Sequence, residues 1–185
     1  LISQVIAGLV SKTGIDSGSL EDIIMGCAFP EGEQGLNIAR LSGLMAGIPN
    51  SVAGVTVNRF CGSSMQAIHM AAGAIQMNAG EAFICAGVES MSRIPMGGYN
   101  PMPNPALFNT LPAAYISMGE TAENVAKQYQ LSRSQQDEFA IASQQKAAAA
   151  QQQGRFKDEI IPIDCDSIIV EMDGCIRANT SIEDM

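Results

Sequence analysis

A chain of 185 residues is long enough to bury a core, and 46% hydrophobic against 16% charged residues exclude a disordered chain. With 10 basic against 19 acidic side chains the formal charge is −9, which excludes a general binder of nucleic acid or anionic membranes, because phosphate backbones demand clustered Lys and Arg. One phosphorylated small ligand held by one or two basic groups stays compatible with this balance, and no run of about 18 apolar residues occurs, so no membrane span is expected.

The chain opens inside an amphipathic pattern, Ile2, Val5, Ile6, Leu9 and Val10, which predicts a helix over 2–12 ending near Gly14. It has no initiator Met and no signal peptide, and its end at Ser181–Met185 reads as a helix just beginning, so both ends look cut and a piece of something longer is expected. Leu20 to Phe29 reads as a short apolar strand, and Leu36 to Ala46 as a helix stopped by Gly47 with Pro49 beyond. Ser51 to Phe60, with Val52, Val55 and Val57, is a strand. Cys61-Gly62-Ser63-Ser64 makes a tight turn, Met65 to Met77 a helix of small residues, and Ala82 to Val88 a buried strand. Strand, turn, helix and strand within about forty residues form a βαβ unit and imply an α/β fold with a parallel sheet.

After Glu89 the composition changes. The segment from Met91 to Met118 is rich in Pro and Met and lacks a regular period, which points to a functional loop. A helix is then predicted from Thr121 to Tyr129. A second, capped by Ser132 or Ser134 and carrying an Arg133/Asp137 pair, runs through an Ala/Gln tract to Gly154, its end facing solvent. Ile160–Ile163 and Ile168–Met172 read as short strands split by Asp164-Cys165-Asp166. The domains divide as 1–90 and 91–185.

Five cysteines, Cys27, Cys61, Cys85, Cys165 and Cys175, contain no CxxC pair, and the odd count favours reduced thiols over a disulfide framework. With His69 as the one histidine, a structural zinc site is not expected. Cys27 and Cys85 lie inside apolar strands and read as structural; Cys165 and Cys175 are flanked by acids that disfavour a thiolate. Cys61 stands where a strand gives way to a helix, so amide ends and the helix dipole face its sulfur and favour the thiolate. Gly62 would admit a close substrate carbonyl, the freed amides nearby could bind an oxyanion, and Ser63 or Ser64 could cap the helix. On spacing alone Cys61 is either this nucleophile or a small apolar residue at a turn. His69, eight positions on, lies about 12 Å along the helix axis, too far to serve as its base, and reads as a helix-packing residue. The base must come from elsewhere.

The run Val57-Asn58-Arg59-Phe60-Cys61-Gly62-Ser63-Ser64-Met65-Gln66-Ala67-Ile68 resembles the acyl-enzyme signature of thiolases. Ala86-Gly87-Val88-Glu89-Ser90-Met91-Ser92 is similar to the family's GG-ESMS segment, with Ala86 in place of the first Gly. Met118-Gly119-Glu120-Thr121-Ala122-Glu123-Asn124-Val125-Ala126 resembles the start of the loop-domain helix. Ser134-Gln135-Gln136-Asp137, Gly154–Ile160 and Ile176-Arg177 follow in family order, so the likeness covers essentially the whole chain.

The resemblance implies a thiolase-like α/β fold. Its N-terminal domain would be βαβ-based, with a mixed sheet, central helices and its first strand missing; a helical loop domain would follow, and the C-terminal half would be absent. It implies a ping-pong reaction in which Cys61 attacks 3-ketoacyl-CoA, acetyl-CoA leaves, and a second coenzyme A removes the acyl chain; the reverse is a Claisen condensation. Met118 matches the methionine lining the thioester pocket, Arg177 an arginine near the CoA nucleotide, and the Cys61 amide part of an oxyanion hole. Glu89 and Arg40 match positions expected to be structural, and Asn58 and Arg59 would brace the active-site loop near a subunit interface.

The family's activating histidine, in a GHP motif, and its acid/base cysteine, in a CxGxG motif, have no counterpart here. This chain alone is therefore expected to be inactive and to expose an apolar face. Ser117 stands where short-chain acetoacetyl-CoA thiolases carry His, which tilts the reading toward a degradative thiolase of fatty-acid β-oxidation; a biosynthetic acetoacetyl-CoA thiolase and a piece that only folds and associates are the alternatives. No permanently bound cofactor or metal is implied, with acyl-CoA and CoA as substrates. The expected partners are the missing half and identical subunits, as a homodimer or homotetramer. The expected compartment is the bacterial cytoplasm, or a peroxisome or mitochondrion in a eukaryote.

Overall fold

The structure is a computed structural model that describes residues 1–184. Leu1–Pro101 form one compact unit, and the residues from Met102 onward a second. In the first unit the helices are α1 (Ile2–Thr13), α2 (Ile38–Met45) and α3 (Ser63–Gln76), and the strands β1 (Asp22–Gly26), β2 (Ala53–Val57) and β3 (Phe83–Gly87). α1 stops where Gly14 takes the left-handed conformation at φ +67 and its amide returns to the Val10 carbonyl, a glycine-terminated end read directly from the sequence.

The sheet order is β2-β1-β3, parallel throughout, with Ile24 opposite both Val55 and Cys85. The antiparallel pairing that a mixed sheet requires occurs only in a separate hairpin of the second unit among the described residues. β1 is central and apolar on both sides. Ile23 and Met25 join Ile6, Ala39, Ile48, Val52 and Ile84 in one core, while Ile24 packs with Ala67 and Ala71 of α3 on the other. A strand buried on both faces shows a continuous apolar run, not an alternation, and Ile23-Ile24-Met25 is such a run.

Glycines let α3 come down onto the strand ends. A Cβ on Gly26 would lie 2.5 Å from the Ser63 carbonyl carbon and the Ser64 nitrogen, and one on Gly87 would lie 2.9 Å from the Ser64 Cβ. Side chains at these two positions would lift the start of α3, and with it the turn before it, off the sheet. Past β3 the chain folds back over the 31–34 loop. Ile94 is buried there, Arg93 pairs with Glu33 at 2.7 Å, and the Tyr99 amide donates to Glu31 Oε2 at 2.7 Å.

The second unit contains α4 (Pro105–Thr110), α5 (Met118–Gln128) and α6 (Arg133–Gln152), followed by a hairpin of β4 (Ile163–Cys165) and β5 (Ile168–Val170). α4 and a 3₁₀ turn over Pro112–Tyr115 lie inside the segment expected to be an irregular loop. Asn104 accepts from the amides of Ala106 and Leu107, with Pro105 in the first turn, so the start was written locally. α5 begins three residues before the expected Thr121, because Ser117 and Glu120 close a reciprocal capping box. Ser132, not Ser134, caps α6, again in a capping box with Gln135, and Arg133 meets Asp137 at 2.7 Å. The Ala/Gln end of α6 is not wholly solvent-facing, since Ala148 is buried. The hairpin turn is Asp166-Ser167, both at positive φ (51 and 74); Asp164 and Cys165, expected to split the strands, lie in β4, and of the expected strand Ile160–Ile163 only Ile163 does. A 3₁₀ turn covers Ile182–Asp184, and Met185 lies outside the described residues.

Candidate active site

Between the end of β2 at Val57 and the start of α3 at Ser63 the chain makes one 3₁₀ turn, Phe60–Gly62, with Cys61 at its centre and exposed. Phe60 holds φ +46, which L-residues rarely adopt, so the surroundings must over-determine the turn. They do so by hydrogen bonds. The Phe60 amide donates to Asn58 Oδ1 at 2.8 Å, and the Arg59 amide to Ser63 Oγ at 2.9 Å. The Ser63 hydroxyl donates to the Phe60 carbonyl at 2.6 Å, and the Gly62 amide to the Arg59 carbonyl at 3.0 Å. The Phe60 ring also rests against Phe29, centroids 5.9 Å apart.

Three expectations change here. Neither Ser63 nor Ser64 caps α3 by its side chain; Gly62 is the N-cap, and Ser63 Oγ is spent inside the preceding turn. The amides flanking Cys61 are not all free, because those of Arg59, Phe60 and Gly62 are taken by these bonds and that of Ser63 donates to the Phe60 carbonyl. His69, expected to be a helix-packing residue, is exposed on α3.

Gly62 is not required by crowding within the chain. At its position a Cβ would meet Arg59 and Met65 side chains only at 3.7 Å or more. The space beside Cys61 is therefore open at this residue.

Beneath the turn lies a polar cluster at the carboxyl ends of β1 and β3. Glu89, just past β3, accepts at Oε1 from Cys27 Sγ (3.1 Å) and from Gln34 Nε2 (3.1 Å), and at Oε2 from the Ala28 amide (3.1 Å). Gln34 is buried with every arm used: Nε2 also donates to the Phe29 carbonyl at 2.8 Å, and Oε1 accepts from the Ser90 amide at 2.6 Å. Burial first, then the hydrogen bond to Glu89 and its charge, push the Cys27 thiol up to about 12, so Cys27 is a protonated donor and no nucleophile. Burial likewise pushes the Cys85 thiol up, and its sulfur lies 3.5 Å from the Ala67 carbonyl. Cys165 and Cys175 are exposed in the second unit.

The expected structural Arg40 anchors α2 to the turn before β2 by donating to the Val52 and Asn50 carbonyls. Asn58 bridges, with Nδ2 on the Ala28 carbonyl at 2.8 Å and Oδ1 on the Phe60 amide. Arg59 contributes its main chain. Met118, the first residue of α5, and Arg177, whose amide donates to Gln144 Oε1 at 2.7 Å, are both exposed in the second unit. Ser117 is the N-cap of α5. In the sequence Glu89 stands out by resemblance and Gln34 not at all; an acid placed straight after a buried strand is the local signal of this cluster. Among the described residues no group of three or more His, Cys, Asp or Glu is placed to hold a metal, and no helix is long and apolar enough to cross a membrane.

Comparison with known proteins sets this turn in a family. The family described as "Thiolase, N-terminal domain" matches residues 1–185. A 3-ketoacyl-CoA thiolase of Bacillus subtilis (strain 168) is 49% identical over 155 residues, 84% of this chain and 40% of the relative. One from Pseudoalteromonas translucida (strain TAC 125) is 45% identical over 99% of this chain and 48% of its own length, and one from Shewanella sp. (strain MR-7) is 43% identical over 100% and 49%. The chain thus spans about half the length of the curated relatives it matches. A match running from the first residue to the last, with relatives this similar over nearly the whole chain, makes the chain a member of the thiolase family, in the part that forms its N-terminal domain.

Proposed function

We propose that the protein carrying this chain is an acyl-CoA acyltransferase that cleaves 3-ketoacyl-CoA by thiolysis, with Cys61 as the acyl carrier. The observation that supports it best is an exposed cysteine on a pinned strand-to-helix turn, inside a sequence of thiolase type. The Cys61 thiolate adds to the 3-keto carbon. The bond between the second and third carbons then breaks, its electron pair leaving with the acetyl-CoA part, which takes up a proton. The acyl group is left as a thioester on Cys61. A coenzyme A thiolate attacks that thioester, and the Cys61 thiolate departs.

The amide of Cys61 is the donor in this turn not consumed by the bonds described above, which fits it for the oxyanion. His69 is two helical turns away and is not the base, so the proton acceptor and the acid that protonates the leaving group come from outside these residues. Met118 is assigned to the thioester pocket and Arg177 to the CoA nucleotide. The printed name of the bacterial relatives, 3-ketoacyl-CoA thiolase, supports the ketoacyl-CoA substrate; the degradative direction in fatty-acid β-oxidation, a bacterial cytoplasm and a homo-oligomer are part of the same proposal.

The test is intact-mass and peptide mapping of the full-length protein held with a 3-ketoacyl-CoA and no free CoA. An acyl adduct at Cys61, absent in Cys61→Ser, is expected; an adduct on another residue with Cys61 unmodified removes the assignment. Turnover on short against long ketoacyl-CoA separates the degradative from the biosynthetic enzyme.

A further inference from the structure

We infer that Glu89 is a positioning residue for Cys61, acting through Ala28 and Asn58. The inference rests on the reading of Cys61 as the acyl carrier. A continuous path of hydrogen bonds runs from the carboxylate to the residue before the nucleophile. Glu89 takes the Ala28 amide at 3.1 Å, the Ala28 carbonyl takes Asn58 Nδ2 at 2.8 Å, and Asn58 Oδ1 takes the Phe60 amide at 2.8 Å. Phe60 is also the residue in the strained, positive-φ conformation, so the last bond in the path holds the dihedral that aims Cys61.

The other end is fixed as firmly. Cys27 and Gln34 both donate to Oε1 of Glu89, as does the Ala28 amide at 3.2 Å. A second, apolar connection runs beside the path, since Phe29 follows Ala28 and its ring rests on Phe60. Displacing Ala28 therefore moves both supports of the turn together. A carboxylate suits this place because it accepts at both oxygens, whereas a glutamine would turn its NH2 either toward the Ala28 amide or toward Cys27 and Gln34.

The full-length protein with Glu89→Gln, Glu89→Asp, Asn58→Ala and the double change Glu89→Gln/Asn58→Ala tests this. Two readouts are taken: kcat and KM for thiolysis, and the pH–rate profile of iodoacetamide alkylation at Cys61, followed by peptide mass. Each single change is expected to lower kcat about ten- to a hundredfold with KM within about twofold, and to move the alkylation profile. The double change should be no slower than the worse single, because both break one path. Additive losses, or folded variants with unchanged kcat and alkylation, overturn the inference. Loss of the fold in both Glu89 variants also overturns it, by assigning Glu89 to structure alone. A wild-type protein that never acylates Cys61, yet whose Cys61 alkylation still depends on Glu89 and Asn58, keeps the positioning and removes the thiolase chemistry.

Discussion

Cys61 and Cys27 sit at neighbouring strand ends with opposite environments, one exposed on its turn and one shut in against Glu89. The Cys27 thiol, held near 12 in the fold against 9.0 as its ordinary value, ties stability to pH. The folded state favours the protonated thiol, so this contribution is complete below pH 9 and is lost as the unfolded chain deprotonates between 9 and 12. Urea midpoints at rising alkaline pH should therefore fall more steeply in the wild type than in Cys27→Ala; parallel slopes would refute this. Gly62 gives a second residue-level prediction. Its Cβ has room, so Gly62→Ala should change stability by about 1 kcal/mol or less. If a substrate carbonyl approaches there, the same change should slow acylation of Cys61 by about tenfold or more. Unaltered acylation in a folded Gly62→Ala protein would show that the substrate comes from another side. The position of Cys61 was legible because a strand signature and a helical pattern meet at it. The fate of Ser63 was not, since a serine at that junction can serve either the helix or the turn, and the choice is made by the dihedral of Phe60.

Elements were legible where their signals are local, as with α1 and its closing Gly14, the apolar run of β1, and the two helices separated by Ser132. Boundaries moved where a partner three residues away decides them. Ser117 and Glu120 start α5 earlier than the apolar period suggests, and Asn104-Pro105 starts a helix too short to show any period. The strands came out shorter than the apolar stretches because pairing in this sheet, and not side-chain type, ends them: β1 spans Asp22–Gly26 in register with both neighbours. Gly26 could be read only as the end of a strand, whereas its use is to admit α3. Gly26→Ala places a methyl 2.5 Å from backbone atoms of Ser63 and Ser64, which cannot rotate away. It should cost about 3 kcal/mol by urea denaturation, at the upper end of ordinary overpacking, while Gly73→Ala, with open space at its Cβ, should be neutral or stabilising by up to about 1 kcal/mol. Equal effects at the two sites would mean that α3 does not rest on β1 as described.

At the scale of the whole chain, the buried stripe of α3 is small and its outer stripe is large. Ala67 and Ala71 face the sheet, while Met65, Ile68 and Ile75 recur at helical spacing on the outside at 55%, 57% and 45% exposure. Fully burying an exposed side chain of this kind is worth about 1.5–3 kcal/mol, so each of these, about half exposed, would gain about half of that, and three on a single face supply a drive that solubility must oppose. That opposition is the formal charge of −9. Self-repulsion of this kind acts through solvent and weakens as the Debye length shrinks from about 10 Å at 0.1 M salt to about 3 Å at 1 M, whereas apolar contact does not weaken. The purified 185-residue chain should therefore associate with itself, and more so as salt rises, by light scattering behind size-exclusion chromatography. Ile68→Glu, which places a charge in the middle of the stripe, should return it toward the monomer without loss of helical signal. If the unaltered chain is monomeric from low to high salt, the exposed face of α3 carries no such drive.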